Sequence, residues 1–206
     1  MQFSRHYVLL AVLSVWCFLP GCALVDQKIA LKYDQAVTSG TGNGRIDIAT
    51  PVAPVLQTKK EKLFIIGTVK NTYGMKMADT VTQDSIPQWI AQALKMELET
   101  CGFEPHIMDE LSPSVRRGIE TRIVKVWVDQ DPGFWTVGAL GEIQFRMTLY
   151  RGVSKIKEFD VDGKGQGDRS IVGDAGTKEE SLRVALQACM KKAIPLIIET
   201  FSKEQP

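Results

Sequence analysis

The sequence predicts an α+β domain: a mostly antiparallel sheet with two amphipathic helices packed on one face, in two layers. Three observations carry this expectation. Apolar residues recur at spacings of three and four over residues 85–101 and again over 177–201. Each of those runs opens on a capping-box pattern, Ser85 with Gln88 and Thr177 with Glu180. Between them, residues 119–164 alternate apolar with polar side chains in three segments parted by turn residues, the pattern of an antiparallel meander with one wet face.

Taken in order, the chain opens with Arg5 and His6 and then an apolar run over 7–19. As a helix that run is about 20 Å long, short of the roughly 30 Å hydrocarbon core a spanning helix crosses, and it has the length of a signal-peptide core. It ends on Leu19-Pro20-Gly21-Cys22, which resembles a bacterial lipobox. That resemblance implies cleavage between Gly21 and Cys22, with the sulfur and the new amine of Cys22 acylated. Ala23, where Asp would mark retention at the inner membrane, implies the periplasmic face of the outer membrane. The expected organisation is a lipoprotein signal peptide over 1–21, then a lipidated amino terminus with a short strand and a Gly/Pro-rich linker over 22–60. A single α+β periplasmic domain fills 61–206.

Within that frame, residues 29–33 alternate weakly and predict a first strand. Residues 38–60 read as linker, because Gly40, Gly42 and Gly44 are followed by Pro51 and Pro54; Ile46-Asp47-Ile48 predicts a short edge strand there. The glycine spacing has no following Lys-Ser/Thr and opens no helix, so it carries no nucleotide site. Residues 63–69 are apolar on both faces, as in a central strand, and Gly67 inside them predicts a bulge or a close neighbour. Residues 71–74 are turn chemistry. The first helix presents Ile86, Trp89, Ile90, Ala93, Leu94 and Leu98 and stops at Gly102. Residues 103–108 return as a strand and make a β-α-β unit with the strand over 63–69. In the meander, Ile143, Phe145, Met147 and Leu149 oppose Glu142, Gln144, Arg146 and Thr148. Residues 163–176 read as loop. In the second helix Pro195 predicts a kink, because it removes a donor and crowds the carbonyl four residues back.

Composition narrows the function. Lys+Arg 25 against Asp+Glu 24 leaves the chain near neutrality, and it has no basic block. Nucleic acid is therefore excluded as a partner, since phosphate neutralisation needs clustered cations. With His6 in the leader, His106 is the histidine left to the mature chain. Together with Asp109 and Glu110 it makes a weak metal set, and no cofactor is expected. Asp160-Val161-Asp162-Gly163-Lys164-Gly165 imitates the start of a calcium loop but has Lys164 and Ile171 where ligands belong, so it reads as a polar strand end and turn. No G-x-S-x-G elbow is present, and no catalytic residue is expected. Cys101 and Cys189 are a candidate disulfide in an exported protein, against two buried hydrophobes on separate helices. Trp127, Phe134 and Trp135 flank one turn and are either the cap of the core or an apolar interaction tip.

The lipobox, the segment Ile65-Ile66-Gly67-Thr68-Val69-Lys70-Asn71-Thr72-Tyr73-Gly74, the helix over 89–102 and the closing helix after Gly173-Asp174 together resemble the YajG-like bacterial lipoproteins. The resemblance implies a small accessory lipoprotein of envelope transport, and Cys22 is the site residue it transfers. The expectation is a non-enzymatic adaptor held to a membrane by its acyl chains and working with an envelope protein partner. The alternative is a periplasmic module that binds a lipid or other small apolar ligand in a cavity lined by Leu94, Leu98, Phe145 and Ile194.

Overall fold

A computed structural model describes residues 25–37, 39–53, 58–59, 62–71, 73–133, 135–171 and 174–202. The elements in order are β1 (Gln27–Lys28), β2 (Arg45–Ala49), β3 (Thr58–Lys59), β4 (Leu63–Lys70), β5 (Lys76–Thr82), α1 (Ile86–Thr100), β6 (Glu104–Met108), β7 (Gly118–Pro132), β8 (Val137–Arg151), β9 (Ser154–Ser170) and α2 (Ala175–Ser202). They form the predicted α+β sandwich, with one mixed, mostly antiparallel sheet and both helices packed on it.

The meander β7-β8-β9 is the backbone of the sheet, antiparallel throughout. Its outer strand β7 is long enough to be paired twice along its free side. β2 runs parallel to its start, at Asp47 with Gly118, and β4 runs parallel to its later half, at Gly67 with Val128. Val52 bridges the gap by accepting from Ile123 N at 2.8 Å and donating to Thr121 O at 2.9 Å. A bulge between Ile123 and Lys125 lets Val124 out to solvent and switches the inward set from Ile119, Thr121 and Ile123 to Val126 and Val128. That switch is why the apolar–polar alternation breaks there, with Ile123-Val124 before Lys125 and Val126-Trp127-Val128 after it.

Several expectations are corrected. Ile46 and Ile48 are fully buried, and β2 lies between β6 and β7, parallel to both, so it is an interior strand. The described part of 25–59 is thus built into the domain. β5 pairs antiparallel with β4 as a hairpin that the sequence reading left unassigned, and β6 pairs with β2 instead of β4, so no β-α-β unit joins β4 to β6. Residues 29–37 are not a strand beyond the two-residue β1; they are an extended strap across the helices. β9 continues to Ser170 through the region read as loop. There Gly163, Gly165 and Gly167 alternate inward beneath α2, and a Cβ on them would lie 2.0–2.1 Å from the carbonyl oxygens of Ala185, Ser181 and Thr177. The facing residues of α2 are Thr177, Ser181, Ala185 and Cys189, small side chains four apart, so backbone meets backbone.

The helices follow their sequence logic. Ser85 caps α1 by accepting from Gln88 N at 3.4 Å, Pro87 sits in the first turn, and Gly102 takes φ +91° past the end. The cap of α2 is Asp174 in place of Thr177: its carboxylate accepts from Thr177 N and Oγ1, both at 2.8 Å. α2 runs on through Pro195 to Ser202. Gly67 shows both expected features, a register shift beside it and a backbone approach so close that a Cβ would stand 2.1 Å from Val128 O.

Candidate functional site

Gly21, Cys22 and Phe134 lie outside the described residues. The registers nonetheless fix where the chain comes in. β1 runs parallel to β5 with Gln27 beside Thr80, so Val25 stands near the start of β5, at the end of the sheet where the β4–β5 hairpin turns over residues 71–75. β4 is parallel to β7, which brings the β7–β8 turn over 133–136 to that same end, and Val137 pairs with Ser170, which adds Ile171. Trp135 is exposed there. Trp127 is not: it sits back along β7, half-buried on the open face of the sheet opposite Glu142. The aromatic tip read from sequence is therefore split, and topology replaces Trp127 with Tyr73, Met75 and Ile171, which no local pattern links to Trp135.

The face of the sheet away from the helices is charged, and cross-strand pairs order it. Arg146 donates to Asp160 through Nε at 2.7 Å and Nη2 at 3.0 Å, Tyr150 donates to Glu120 at 2.9 Å, and Lys125 pairs with Glu142. Arg146 and Lys125 hold their carboxylate partners below the ordinary range. Asp160 and Asp162 of the calcium-like stretch are strand residues taken by Arg146 and by Lys192, whose Nζ is 3.0 Å from Asp162 Oδ2. A concavity of about 630 Å³ lies between Thr50, Val52 and Leu111 and the side chains of Arg122, Arg146 and Glu158. At the far end from Trp135, one of about 500 Å³ is lined by Asn43, Arg45, Asp47, Ser112, Arg116 and Arg117. Arg117 donates to Asn43 O at 2.6 Å and lies over the Phe201 ring at 5.9 Å, while Arg116 is exposed.

Among the described residues, Glu97 and Lys178 are the charged side chains most deeply buried. Glu97 of α1 accepts from Tyr33 Oη, from Ala36 N at 2.5 Å and from Val37 N at 2.8 Å. Burial, and then the bond to Glu97, push the Tyr33 phenol well above its ordinary value. Lys178 of α2 donates to Thr80 Oγ1 at 2.7 Å and to Thr68 O at 3.0 Å, and burial pulls its ammonium down to about 8. Between pH 8 and 10.5 the folded chain has released this proton and the unfolded chain has not, so stability rises with pH across that window. The rise should amount to about 2–3 kcal/mol. In Lys178→Met this rise should vanish from denaturant midpoints measured at pH 7.5 and 10.5, whatever the variant's stability at neutral pH.

Cys101 and Cys189 are two free, buried thiols, not a disulfide. Cys101 caps the end of α1, and Cys189 in mid-α2 donates weakly to Ile143 O at 3.6 Å; burial pushes the Cys189 thiol up to about 12, which leaves it a packing residue. Leu94, Leu98, Phe145 and Ile194, expected around an apolar cavity, all belong to the one core cluster and are almost wholly buried. His106 lies on β6 opposite Asp47, and among the described residues no three His, Cys, Asp or Glu side chains gather as a metal set. No helix among them is long and apolar enough to cross a membrane.

What these features define is a small α+β body with a charged open face and one apolar end. No protein-family model and no curated protein sequence matches the chain. Solved structures resemble it to differing degrees. Protein XCC0632 from Xanthomonas campestris, of the family DUF330, superposes with a TM-score of 0.59 at 9% identity over 87% of this chain and 98% of that one. Hypothetical protein CT253 from Chlamydia trachomatis gives 0.46 at 8% identity over 79% and 100%. A homolog of neuraminyllactose-binding hemagglutinin from Helicobacter pylori gives 0.34 at 8% identity over 87% and 100%. The first of these establishes a shared fold with bacterial DUF330 proteins.

Proposed function

We propose that this chain is a lipid-anchored cell-envelope protein, tethered through Cys22 to the periplasmic face of the outer membrane and acting as a non-enzymatic adaptor or accessory in envelope assembly or transport. The observation that carries the reading is Leu19-Pro20-Gly21-Cys22 at the end of an apolar run too short to span a bilayer. The resemblance to YajG-like lipoproteins supports it, and so does the chemistry of the body. Several of its charged side chains stand in cross-strand ion pairs, an arrangement suited to presenting a fixed charged surface to a protein partner.

The anchor is tested on protein made in a bacterial host. Cys22 should carry the acyl chains, and Cys22→Ala should lose palmitate label and leave the membrane fraction. At about 0.8 kcal/mol per buried CH₂, a single 16-carbon chain contributes on the order of 10 kcal/mol and several make release immeasurably slow, so the shift between fractions should be near complete. Label that persists in Cys22→Ala, or a mature amino terminus at another residue, overturns the reading.

A further inference from the structure

One end of the sheet collects apolar side chains that face solvent. Tyr73 is 84% exposed, Met75 59%, Trp135 80% and Ile171 83%, and Val25, where the described chain starts, is 69% exposed. They come from four separate segments, and the strand registers alone bring them together: Lys70 pairs with Lys76 below the first turn, Pro132 with Val137 below the second, and Val137 with Ser170. The opposite end is different in kind. It carries Arg116, Arg117 and Arg151 around the loop over 109–117 and the β8–β9 turn, with Val153 as its exposed apolar residue. Exposed apolar residues scattered singly need no explanation, but a set of them gathered at one pole, with Trp and Tyr among them, marks an interaction site.

The occupant follows from where the chain goes. Cys22 lies three residues before Val25, so chain length keeps its Cα within about 11 Å of the Val25 Cα, whereas the arginine pole is the length of β8 away, roughly 50 Å for a 15-residue strand. A surface that must sit at the height of an acyl anchor is the headgroup layer of the bilayer that holds the anchor. Trp and Tyr are the side chains enriched at that layer, because an apolar ring with a polar edge fits the boundary between water and acyl chains. We infer that Tyr73, Met75, Trp135 and Ile171 form a second membrane contact, which seats this end of the sheet in the phospholipid interface and points the arginine pole away from it. This rests on the anchoring of Cys22 and adds to it a fixed orientation: the tether becomes a footing, and the open face of the sheet stands across the periplasm for a partner.

The test uses the full-length protein purified from bacterial membranes and reconstituted into phosphatidylethanolamine–phosphatidylglycerol vesicles with brominated acyl chains. Bromine quenches only tryptophan that reaches the acyl boundary. Trp16 belongs to the leader that cleavage before Cys22 removes, Trp89 is buried in the core and Trp127 lies on the sheet face, so quenching should come from Trp135. Trp135→Phe should abolish it, and Trp135 itself should lose on the order of half its emission, as expected for a side chain seated within about 5–10 Å of the headgroup boundary. A tryptophan placed at the other pole, Val153→Trp in the Trp135→Phe background, should stay unquenched. All these positions are exposed, so the variants should keep the parent melting curve. An unquenched Trp135, or Val153→Trp quenched as strongly, overturns the seating. The mass of the amino-terminal peptide from the same preparation separates the two claims: lipidated Cys22 with unquenched Trp135 leaves the anchor standing and removes the footing, and unmodified Cys22 removes the anchor.

Discussion

Gly165→Val should leave almost no folded protein. In the structure a Cβ at this position would stand 2.1 Å from Ser181 O and 2.5 Å from Ala185 N. Both obstacles are backbone atoms of α2, so no rotamer change relieves them, and the helix would have to lift from the sheet along its contact with β8 and β9. Overpacking a core ordinarily costs about 1–3 kcal/mol. Here the helix would also give up the burial of Leu182, Leu186 and Met190 on either side of the contact, so the cost should exceed about 4 kcal/mol, a large part of a domain's stability. Two controls make the mechanism visible. Gln166→Val, on the open face one residue along, should change the denaturation midpoint by no more than the equivalent of about 0.5 kcal/mol. Ser181→Gly should not rescue Gly165→Val, because the clash is with the carbonyl and not with the side chain. Solubility on expression and urea melts of the three variants decide it; a folded Gly165→Val with parent-like stability would mean the helix does not lie this close.

The same glycines show why part of the fold escaped the sequence. Glycine has no hydrophobicity, so Gly163, Gly165 and Gly167 between Asp162, Lys164, Gln166 and Asp168 read as breakers in a polar loop. They are in fact the inward half of a period-two pattern whose other half is charged, and Thr177, Ser181, Ala185 and Cys189 are its complement on the helix. Where the inward residues are large, as in β8 or α1, the pattern was legible and the elements were found. β2 and β5 were missed or misplaced for another reason: Ile46-Asp47-Ile48 is short and flanked by glycine and proline, and β5 buries Asp79, Thr80 and Thr82 among its apolar residues. The expectation of an anchor rests on a contiguous motif, Leu19 to Cys22, which lies outside the described residues. The apolar pole was legible only at Trp135, since Tyr73, Met75 and Ile171 join it through pairing between distant strands.

Glu97→Ala should have the second-largest effect, and a local signature. Residues 29–37 cross the two helices without a strand partner for most of their length, and side chains hold them down. Glu179 accepts from Ala30 N at 2.9 Å, Asp84 from Leu31 N at 2.7 Å, and Trp89 Nε1 donates to Lys32 O at 3.1 Å. Gln187 Nε2 donates to Asp34 O at 2.9 Å, and Arg183 pairs with Asp34 at 3.0 Å. Glu97 closes the far end of this strap with three accepted hydrogen bonds, and its side chain is fully buried. Removing the carboxylate deletes bonds to a charged acceptor and strands the Ala36 and Val37 amides, a cost of about 3–5 kcal/mol. Tyr33→Phe, which deletes one donor, should cost about 1–2 kcal/mol. The readout that separates a strap from a general core defect is amide hydrogen exchange. In Glu97→Ala the amides of residues 30–37 should exchange faster than those of β7 and β8 by more than in the parent, and Glu97→Gln, which keeps a neutral acceptor, should fall between. Uniform acceleration across the sheet would show that Glu97 serves the core as a whole.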